Sequence, residues 1–362
     1  MRKKILIVVG TRPNFVKITQ FKKEAALQNI DLKIAHTGQH YDEKMSAIFL
    51  KQFNIDVDYF LHIKAKSANS LIGEIMIKLE EVINEFKPDM LLSVGDVNST
   101  LAASITANKL NVKLGHIESG LRSLDREMPE EINRIITDEI SDVCFVTENS
   151  GIENLKKIGK LENQISFVGN TIIDTLVHFQ KEIEASIVLE NIDFEKYILV
   201  TMHRPRNVDS KGNLLKVLAK LKKITQNHNV VFSLHPRTKN SLVHNNLFDK
   251  LESIKRLKII PPQNYFAFQK LIKHAVCVIT DSGGIQEETT FQKIPCITLR
   301  ENTERPITIT KGTNVLMSFD NEKIIEHLNN IEKKLFKQGE VPYLWDGYAT
   351  GRILKKCTDF LS

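Results

Sequence analysis

Acidic side chains stand directly after two strand-like apolar runs in the first half of the chain. Asp96 follows the run Met90–Val94, and Glu118 follows Lys113–Ile117. The carboxyl ends of neighbouring parallel strands meet at one edge of a sheet, so we expect these two carboxylates to lie close together. Grouped carboxylates can supply both a general base and a general acid near neutral pH. The spacing therefore predicts proton-transfer chemistry at this edge.

A second group of acidic residues opens a predicted helix. Glu130 and Glu131 follow Pro129, and Arg134 lies one turn after Glu130 on the same face. Acidic residues in a first turn are also ordinary partners of the helix dipole, so each glutamate taken singly has a structural explanation. Both stay open as members of the acid/base set.

Three small residues, Ser282-Gly283-Gly284, stand between a strand-like run and a helix start. Their backbone amides would point from the helix N-terminus at an anion, and glycine lets a phosphate approach closely. A tight turn with a helix cap explains the same residues equally well. Glu288, one turn further on, has the reach to hold a ribose diol, and Arg305 adds a cation after the next strand. These residues predict a diphosphate site.

Arg12 and Lys17 place two cations at the start of the first predicted helix, where they have the charge to contact a second phosphate; the alternative is a capped helix with exposed cations. Arginine is scarce in this chain, at 12 of 50 basic residues. Its planar fork suits bidentate capture of phosphate or carboxylate. Nine of the 12 lie in the short polar segments, which indicates an anionic ligand: Arg12, Arg122, Arg126, Arg134, Arg204, Arg206, Arg237, Arg300 and Arg305.

Several classes of site are disfavoured by the sequence. There is no GxGxxG and no GxxxxGK[ST] motif, so neither a dinucleotide cofactor nor an ATP P-loop is expected. HExxH is absent, and His116-Ile117-Glu118 lacks the cysteine pair of a zinc deaminase, so we predict no metal. We expect no cofactor. The net charge of +6 is carried by lysines spread along the chain, which argues against nucleic acid as a partner.

The chain is predicted to be cytoplasmic. Its first apolar run, 5–9, is too short for the core of a signal peptide, and no stretch of about 18 apolar residues predicts a membrane span. The four cysteines have no CxxC spacing and suit buried thiols in a reducing compartment.

Short apolar runs alternate with amphipathic helical patterns along the whole chain. Continuous hydrophobic strands separated by helices are typical of parallel sheets covered on both faces. The fold class is therefore α/β and doubly wound. Twelve strands are predicted, six in each half: 5–9, 32–35, 90–94, 113–117, 143–146, 165–168, 197–202, 230–234, 257–260, 276–280, 296–299 and 314–317.

The strand series pauses over a charged, helical stretch at about 179–195, which sets the predicted domain boundary. We expect a first domain at 1–180 with the carboxylates and a second at 181–349 with the diphosphate site. A final helix, 350–362, is expected to pack back on the first domain. His203 and His235 follow the first two strands of the second half and so belong to its carboxyl edge.

Taken together, these segments resemble the non-hydrolysing UDP-N-acetylglucosamine 2-epimerases over nearly the whole chain. The resemblance rests on ordered matches: Gly10-Thr11-Arg12-Pro13, Thr37-Gly38-Gln39-His40, Gly95-Asp96, His116 to Arg122, Pro129 to Arg134, His203-Arg204-Pro205, Asp281 to Glu288, and Thr303 to Pro306 with Gly312-Thr313.

The resemblance implies two Rossmann-like doubly wound domains facing a cleft, as in GT-B glycosyltransferases, and a homodimer. It implies that UDP leaves by anti elimination to give a 2-acetamidoglucal, which takes UDP back after reprotonation of C2 from the other face. By motif position, the implied catalytic residues are Asp96, Glu118, Glu130 and His203. The implied contacts to the UDP-sugar are Arg12, Lys17, Arg134, Gln263, Phe268, Ser282, Gly283, Gly284, Glu288 and Arg305.

The chain departs from the family pattern at two places. Many relatives have Glu where this chain has Asn14. Members that bind a second, activating UDP-sugar have a basic continuation after the segment Gln39-His40, whereas this chain continues with Tyr41-Asp42-Glu43. This argues against activation through the implied second site, formed by Gln39, His40, Arg204 and His235.

Other functions stay open on the sequence alone. Relatives with similar motifs act on UDP-2,3-diacetamido uronic acids or hydrolyse the nucleotide sugar. A GT-B glycosyltransferase shares the fold, but its reaction gives the paired carboxylates no catalytic role. A UDP-sugar sensor would bind the nucleotide sugar without turnover. The motifs do not identify the physiological sugar, the pathway or the oligomeric state.

Overall fold

A computed structural model of the protein describes residues 2–38, 49–65, 67–318 and 321–362, and of Arg12 and Asn321 it describes the backbone only. Its strands pair in parallel, which confirms the predicted α/β class. The strands are β1 (Lys4–Val9), β2 (Asp31–His36), β3 (Tyr59–Phe60), β4 (Met90–Val94), β5 (Lys113–Ile117), β6 (Val143–Val146), β7 (Ile165–Phe167), β8 (Ile198–Thr201), β9 (Val230–Ser233), β10 (Leu257–Ile260), β11 (Cys277–Thr280), β12 (Cys296–Thr298) and β13 (Asn314–Leu316).

Helices connect most of these strands. They are Arg12–Ile18, Phe21–Leu27, Ala68–Phe86, Asn98–Lys109, Pro129–Ile140, Asn149–Lys157, Thr171–His178, Gln180–Ala185, Pro205–Val208, Lys211–Ile224, Pro236–His244, Phe248–Glu252, Tyr265–His274, Gly283–Gln292, Ile307–Thr310, Asn321–Glu332 and Ala349–Phe360, with short 3-10 turns at Glu162–Gln164 and Val188–Asn191.

The first sheet has the strand order β3-β2-β1-β4-β5-β6-β7. It is buried on both faces because alternate residues of β1 enter different cores: Ile5 and Ile7 join one cluster, whereas Leu6 and Val8 join another. The edge strand β3 is absent from the sequence prediction, since a two-residue strand leaves no hydrophobic run to detect.

The second sheet repeats the same winding with the order β10-β9-β8-β11-β12-β13. In both sheets the chain starts at a central strand, moves to one edge and returns to build the other side, which is the Rossmann order. The loops after β1, β4 and β5 therefore share one edge of the first sheet, and the loops after β8, β11 and β12 share one edge of the second.

The chain divides into two compact units, Met1–His178 with Tyr343–Ser362, and Phe179–Pro342. The chain therefore returns to the first unit at Tyr343, earlier than the expected end of the second domain at 349. The reason is the aromatic segment before the last helix: Trp345 is buried and donates from Nε1 to Thr147 O at 3.0 Å. Asp174 then caps the last helix by accepting from Ala349 N and Thr350 N.

Within the parts of the chain that the structure describes, every helix is too short or too polar to cross a membrane.

Candidate active site

Asp96 lies at the carboxyl edge of the first sheet, directly after Gly95, and is held by the helix Pro129–Ile140. Its carboxylate pairs with the guanidinium of Arg134, and its backbone carbonyl accepts from Asn133 Nδ2 at 2.9 Å. Arg134 is buried, whereas the Asp96 side chain is 24% exposed. Arg134 therefore holds one side of a carboxylate whose outer side stays accessible.

Glu118 follows β5 and forms a buried ion pair with Lys17 of the helix Arg12–Ile18. Glu118 Oε2 lies 2.5 Å from Lys17 Nζ, and the two side chains are 3% and 8% exposed. Gly95 packs against this pair: a Cβ atom added there would lie 3.2 Å from Lys17 Nζ and 3.7 Å from Glu118 Oε2. Asp96 and Glu118 are therefore carried by adjoining loops, and the ion pair of Glu118 with Lys17 lies beside Gly95.

The backbone of Glu118 is in the left-handed region, with φ of +68°. This conformation costs a residue with a side chain about 1–2 kcal/mol. The surrounding loop is held by Asp138, a fully buried carboxylate. It accepts four hydrogen bonds, from His116 Nδ1 at 2.6 Å, Ser119 Oγ at 2.5 Å, Gly120 N at 3.1 Å and Arg122 Nη1 at 2.5 Å.

Asp138 is ionised despite its burial. Desolvation by itself raises the pKa of Asp138, but the charges of His116 and Arg122 and the Ser119 hydroxyl outweigh it and lower the pKa to about 2.

Glu131, and not its neighbour Glu130, is the glutamate of this helix that turns inward. It accepts from Ser123 N at 2.8 Å and Ser123 Oγ at 2.9 Å, and it lies 3.1 Å from Arg134 Nη1. Glu130 is partly exposed. Glu131 therefore fixes the loop before the helix, and Glu130 is the glutamate with access to solvent or a ligand.

Asn14 holds the loop after β1 together. Its Oδ1 accepts from Gly10 N at 3.3 Å and Thr11 N at 3.1 Å, and its Nδ2 donates to Val94 O at 3.1 Å. A glutamate has no side-chain N–H for the last of these bonds. In this chain the residue therefore links the ends of β1 and β4.

At the carboxyl edge of the second sheet, the buried Asp281 organises the turn that begins at His203. It accepts from His203 N at 3.1 Å, Arg204 N at 2.9 Å and Asn207 Nδ2 at 3.0 Å, and its Oδ1 lies 3.1 Å from His203 Nδ1. Burial raises the pKa of Asp281, but His203 and Asn207 more than offset this and keep the pKa below its usual value. An ionised Asp281 thus fixes the orientation of the His203 ring.

His235 lies beside His203 in the same unit, with 5.1 Å between the ring centroids. Its Nδ1 accepts from Arg237 N at 3.2 Å, so that nitrogen carries no proton and His235 caps the helix Pro236–His244.

The helix Gly283–Gln292 begins beside a buried cluster of charges. A Cβ atom added to Gly283 would lie 3.1 Å from Arg305 Nη1 and 3.2 Å from Glu304 Oε1. Glu304 bridges the arginines: its Oε1 lies 2.8 Å from Arg305 Nη1 and its Oε2 lies 2.8 Å from Arg300 Nη2. Burial raises the pKa of Glu304, but Arg305 and Arg300 lower it well below the usual range. The charge of both arginines is thus largely balanced before any ligand binds.

One donor of this cluster remains directed at the helix N-terminus. Arg300 Nη1 is buried, has no hydrogen-bond partner among the residues that the structure describes, and lies 3.8 Å from the position of a Gly283 Cβ atom. The helix N-terminus supplies backbone N–H groups at the same place. An anion bound here would satisfy both.

Glu288 lies one turn into this helix and is buried. Burial, and then the charge of Glu287, raise its pKa to about 7, although hydrogen bonds with Gln269 and Tyr265 act in the opposite direction. At neutral pH Glu288 is therefore present in both its protonated and its ionised form.

Across the described ranges, no three histidine, cysteine or acidic side chains are grouped as metal ligands.

Comparison with known proteins identifies the family of this chain. A family profile described as UDP-N-acetylglucosamine 2-epimerase matches residues 22–358. The crystal structure of the UDP-GlcNAc 2-epimerase of Methanocaldococcus jannaschii, in complex with UDP-GlcNAc and UDP, is 40% identical, with a TM-score of 0.88 over 98% of this chain and 99% of that one. The chain belongs to the UDP-N-acetylglucosamine 2-epimerase family.

Two further likenesses bear on substrate and fold. The UDP-2,3-diacetamido-2,3-dideoxy-D-glucuronate 2-epimerase of Pseudomonas aeruginosa is 36% identical over 99% of both chains. A lipopolysaccharide outer core galactosyltransferase, 13% identical with a TM-score of 0.55 over 99% of both chains, shares the fold alone. The predicted family and the GT-B-like fold class are thereby confirmed.

The structure places the predicted residues of this family member in two groups. Asp96, Glu118, Lys17 and Arg134 lie at the edge of the first sheet, with Glu130 at the helix start beside them. Ser282, Gly283, Gly284, Glu288 and Arg305 belong to the second, with His203 and Arg204 linked to it through Asp281.

The remaining predicted residues are less closely tied to these groups. Gln263 follows β10 and donates to Pro261 O at 2.8 Å, and Phe268 packs partly into the core on the helix that carries Gln269. Gln39, His40 and the side chain of Arg12 lie outside the described residues.

Sequence reasoning missed Glu131, Asp138 and Asp281 as organisers of the site. Glu131, Arg134 and Asp138 are spaced i, i+3 and i+7 on the helix face that packs against the sheet. Charged residues on a face that should be apolar were the available signal for Glu131 and Asp138. The signal for Asp281 was its place directly after a predicted strand, the same position that singled out Glu118.

Proposed function

We propose that this protein inverts C2 of UDP-N-acetylglucosamine to give UDP-N-acetylmannosamine, through anti elimination of UDP, a 2-acetamidoglucal intermediate and re-addition of UDP. The observation that carries the proposal is the pairing of Asp96 with Arg134 and of Glu118 with Lys17 on adjoining loops. Membership of the epimerase family favours this reaction over glycosyl transfer or binding without turnover.

The first unit supplies the proton transfers in this proposal. Epimerisation needs a group to take the C2 proton and another to return a proton from the opposite face. Asp96 lies against Arg134 and Glu118 lies against Lys17, which places two carboxylates on adjoining loops for these transfers. Glu130, partly exposed at the helix start, is a third candidate, and its neighbour Glu131 is engaged in holding the loop.

The second unit binds UDP in this proposal. The amides at the start of the helix Gly283–Gln292 and Arg300 Nη1 take the diphosphate, and Arg305 shapes the same cluster. Negative charge develops on the diphosphate as it leaves C1, so these donors stabilise the elimination. Glu288 contacts the ribose, Gln263 and Phe268 contact the nucleoside, and His203 lies near the sugar or the diphosphate. No cofactor is required for this sequence of steps.

Deuterium exchange at C2 tests the reaction. The enzyme, incubated in heavy water with UDP-N-acetylglucosamine, should place deuterium at C2 of both sugar nucleotides, as followed by NMR. Folded protein that binds UDP but leaves C2 unlabelled would rule the proposal out.

The carboxylates are tested by Asp96→Asn and Glu118→Gln. Each should reduce turnover by about 100-fold or more, because a positioned acid or base contributes on that order. UDP affinity, measured by calorimetry, should change little. Asp142→Asn is a matched control: this carboxylate accepts from Leu114 N at the opposite end of β5. Normal turnover by either site variant would remove that residue from the mechanism.

A second candidate substrate is favoured by the 36% identity to the diacetamido uronate epimerase. The same C2 chemistry applies to both sugars. Product analysis by NMR with UDP-N-acetylglucosamine and with its diacetamido uronic acid analogue distinguishes them.

Three further expectations remain predictions. We expect a homodimer, to be checked by light scattering, and a cytoplasmic location, to be checked by cell fractionation. The implied second UDP-sugar site at Gln39, His40, Arg204 and His235 would cause activation by excess substrate. We expect no such activation, because the chain has an acidic continuation after Gln39-His40. Initial rates that depend hyperbolically on substrate concentration would support this expectation.

A further inference from the structure

Asp138 is a fully buried carboxylate that the proposed reaction leaves without a role. It lies on the inward face of the helix Pro129–Ile140, one helical turn beyond Arg134, which holds Asp96. All four of its hydrogen-bond donors belong to the segment 116–122, which includes Glu118. One carboxylate therefore ties the loop of Glu118 to the helix that grips Asp96.

His116 extends this network to the loop of Asp96. Its Nδ1 lies 2.6 Å from Asp138 Oδ1 and its Nε2 lies 2.7 Å from Gly95 O, the carbonyl just before Asp96. The carbonyl of Gly95 can only accept, so Nε2 donates to it. His116 therefore joins the two loops through its two ring nitrogens.

One of the loops it joins holds a conformation that needs support. Glu118 has a left-handed backbone, with φ of +68°. Burying the carboxylate of Asp138 with the guanidinium of Arg122 is costly, and apolar packing would serve stability at least as well. What the network adds is a fixed distance between two loops.

We propose that Asp138, acting through His116, is a positioning residue that keeps the loops of Asp96 and Glu118 at a fixed distance from each other. This inference rests on the proposed function, because it takes those two carboxylates to be the proton-transfer groups. Neither Asp138 nor His116 touches the substrate in this scheme. A displacement of about 1 Å at a reacting group can cost about 100-fold in rate, so a change in the distance between the loops should have a measurable effect on turnover.

Two substitutions of His116 separate the two halves of the bridge. The amide nitrogen of glutamine reaches the position of Nε2, so His116→Gln keeps the donor to Gly95 O. The amide nitrogen of asparagine reaches the position of Nδ1, so His116→Asn keeps the donor to Asp138 and loses the link to Gly95. Both variants replace the ring by an amide, and each breaks one half of the bridge alone.

The experiment measures kcat and KM for epimerisation, C2 deuterium incorporation and the melting temperature of the wild type and both variants. We expect His116→Asn to lose about 100-fold in kcat and in C2 labelling, with KM within about threefold of the wild type. His116→Gln loses the link to Asp138 and should show a similar loss of kcat, because the bridge needs both of its halves, while Asp142→Asn at the other end of β5 should keep the kcat of the wild type. Asp138→Asn should resemble the two histidine variants if it folds, and the histidine pair decides the question if it does not.

The outcomes distinguish this inference from the proposed function. A wild type that incorporates no deuterium at C2 overturns the reaction itself. A wild type that labels normally, with the kcat of the wild type retained in either histidine variant or with the loss confined to KM, overturns the positioning role and leaves the reaction standing.

Discussion

At the scale of single residues, the site is governed by how each carboxylate is neutralised. Asp96 and Glu118 each have a cation, Asp138 and Asp281 have several donors, and Glu288 has a carboxylate neighbour instead. Asp138 and Asp281 have lowered pKa values and are ionised in the folded protein, whereas the pKa of Glu288 is raised to about 7. The same side-chain chemistry thus gives fixed charges in some places and a titrating group in another.

The raised pKa of Glu288 predicts a pH-dependent stability. Its pKa is about 7 in the folded protein against an ordinary 4.5, so the folded state binds more protons between these values. Stability must then fall as the pH rises through this window, by on the order of 3 kcal/mol. Glu288→Gln, which cannot ionise, should escape this loss. Melting curves of both proteins from pH 5 to 8 should diverge, with the wild type falling; parallel curves would contradict the assignment.

At the scale of elements, helix termini and helix faces position the chemistry. The helix Pro129–Ile140 uses one face to hold Asp96, the loop after Glu118 and the loop at Ser123. The helix Gly283–Gln292 uses its N-terminus, with Arg300 Nη1 directed at it. Each element serves the site through a different part of its structure.

Two neighbouring glycines allow the anion site to be tested. Ala at 283 would place Cβ against Arg305 and Glu304, whereas Ala at 284 has no atom within 4 Å of its Cβ among the described residues. We expect Gly283→Ala to lower the melting temperature. Gly284→Ala should leave it unchanged or raise it, because Ala exceeds Gly in helix propensity by about 1 kcal/mol.

UDP affinity completes this test. Because the phosphate is proposed to sit on these amides, Gly284→Ala should weaken UDP binding by about tenfold or more in calorimetry without loss of stability. Unchanged affinity in this variant would place the diphosphate elsewhere.

At the scale of the whole molecule, the chain returns to its first unit at the end. The last helix buries Ile353, Leu354 and Cys357 in the same core as β1. The segment before it contributes Trp345, the single tryptophan of the chain. Tryptophan fluorescence therefore reports on the first unit alone.

This location gives a prediction for ligand binding. The proposed UDP contacts lie mainly in the second unit, so UDP at about 100 times its Kd should stabilise that unit by about 2.7 kcal/mol. Thermal unfolding followed by circular dichroism should shift upward more than unfolding followed by Trp345 fluorescence. Equal shifts would show that UDP stabilises both units alike.

The sequence by itself determined the strands other than the short edge strand β3, the doubly wound class and the edges at which the chemical groups stand. These depend on local patterns: apolar runs of four to six residues mark buried parallel strands, and the segment after each strand must reach the carboxyl edge. Asp96, Glu118 and the Ser282-Gly283-Gly284 turn were found in this way, and the family resemblance supplied the reaction.

Only the tertiary structure decided which of these groups contact one another. Lys17 meets Glu118 across 101 residues of chain, and Glu131 turns inward where Glu130 does not. Arg300 and Arg305, expected as free cations for a phosphate, are paired with glutamates. Charge pairing depends on how helices pack over the sheet, and hydrophobic periodicity, which is local, contains no information on such distant partners.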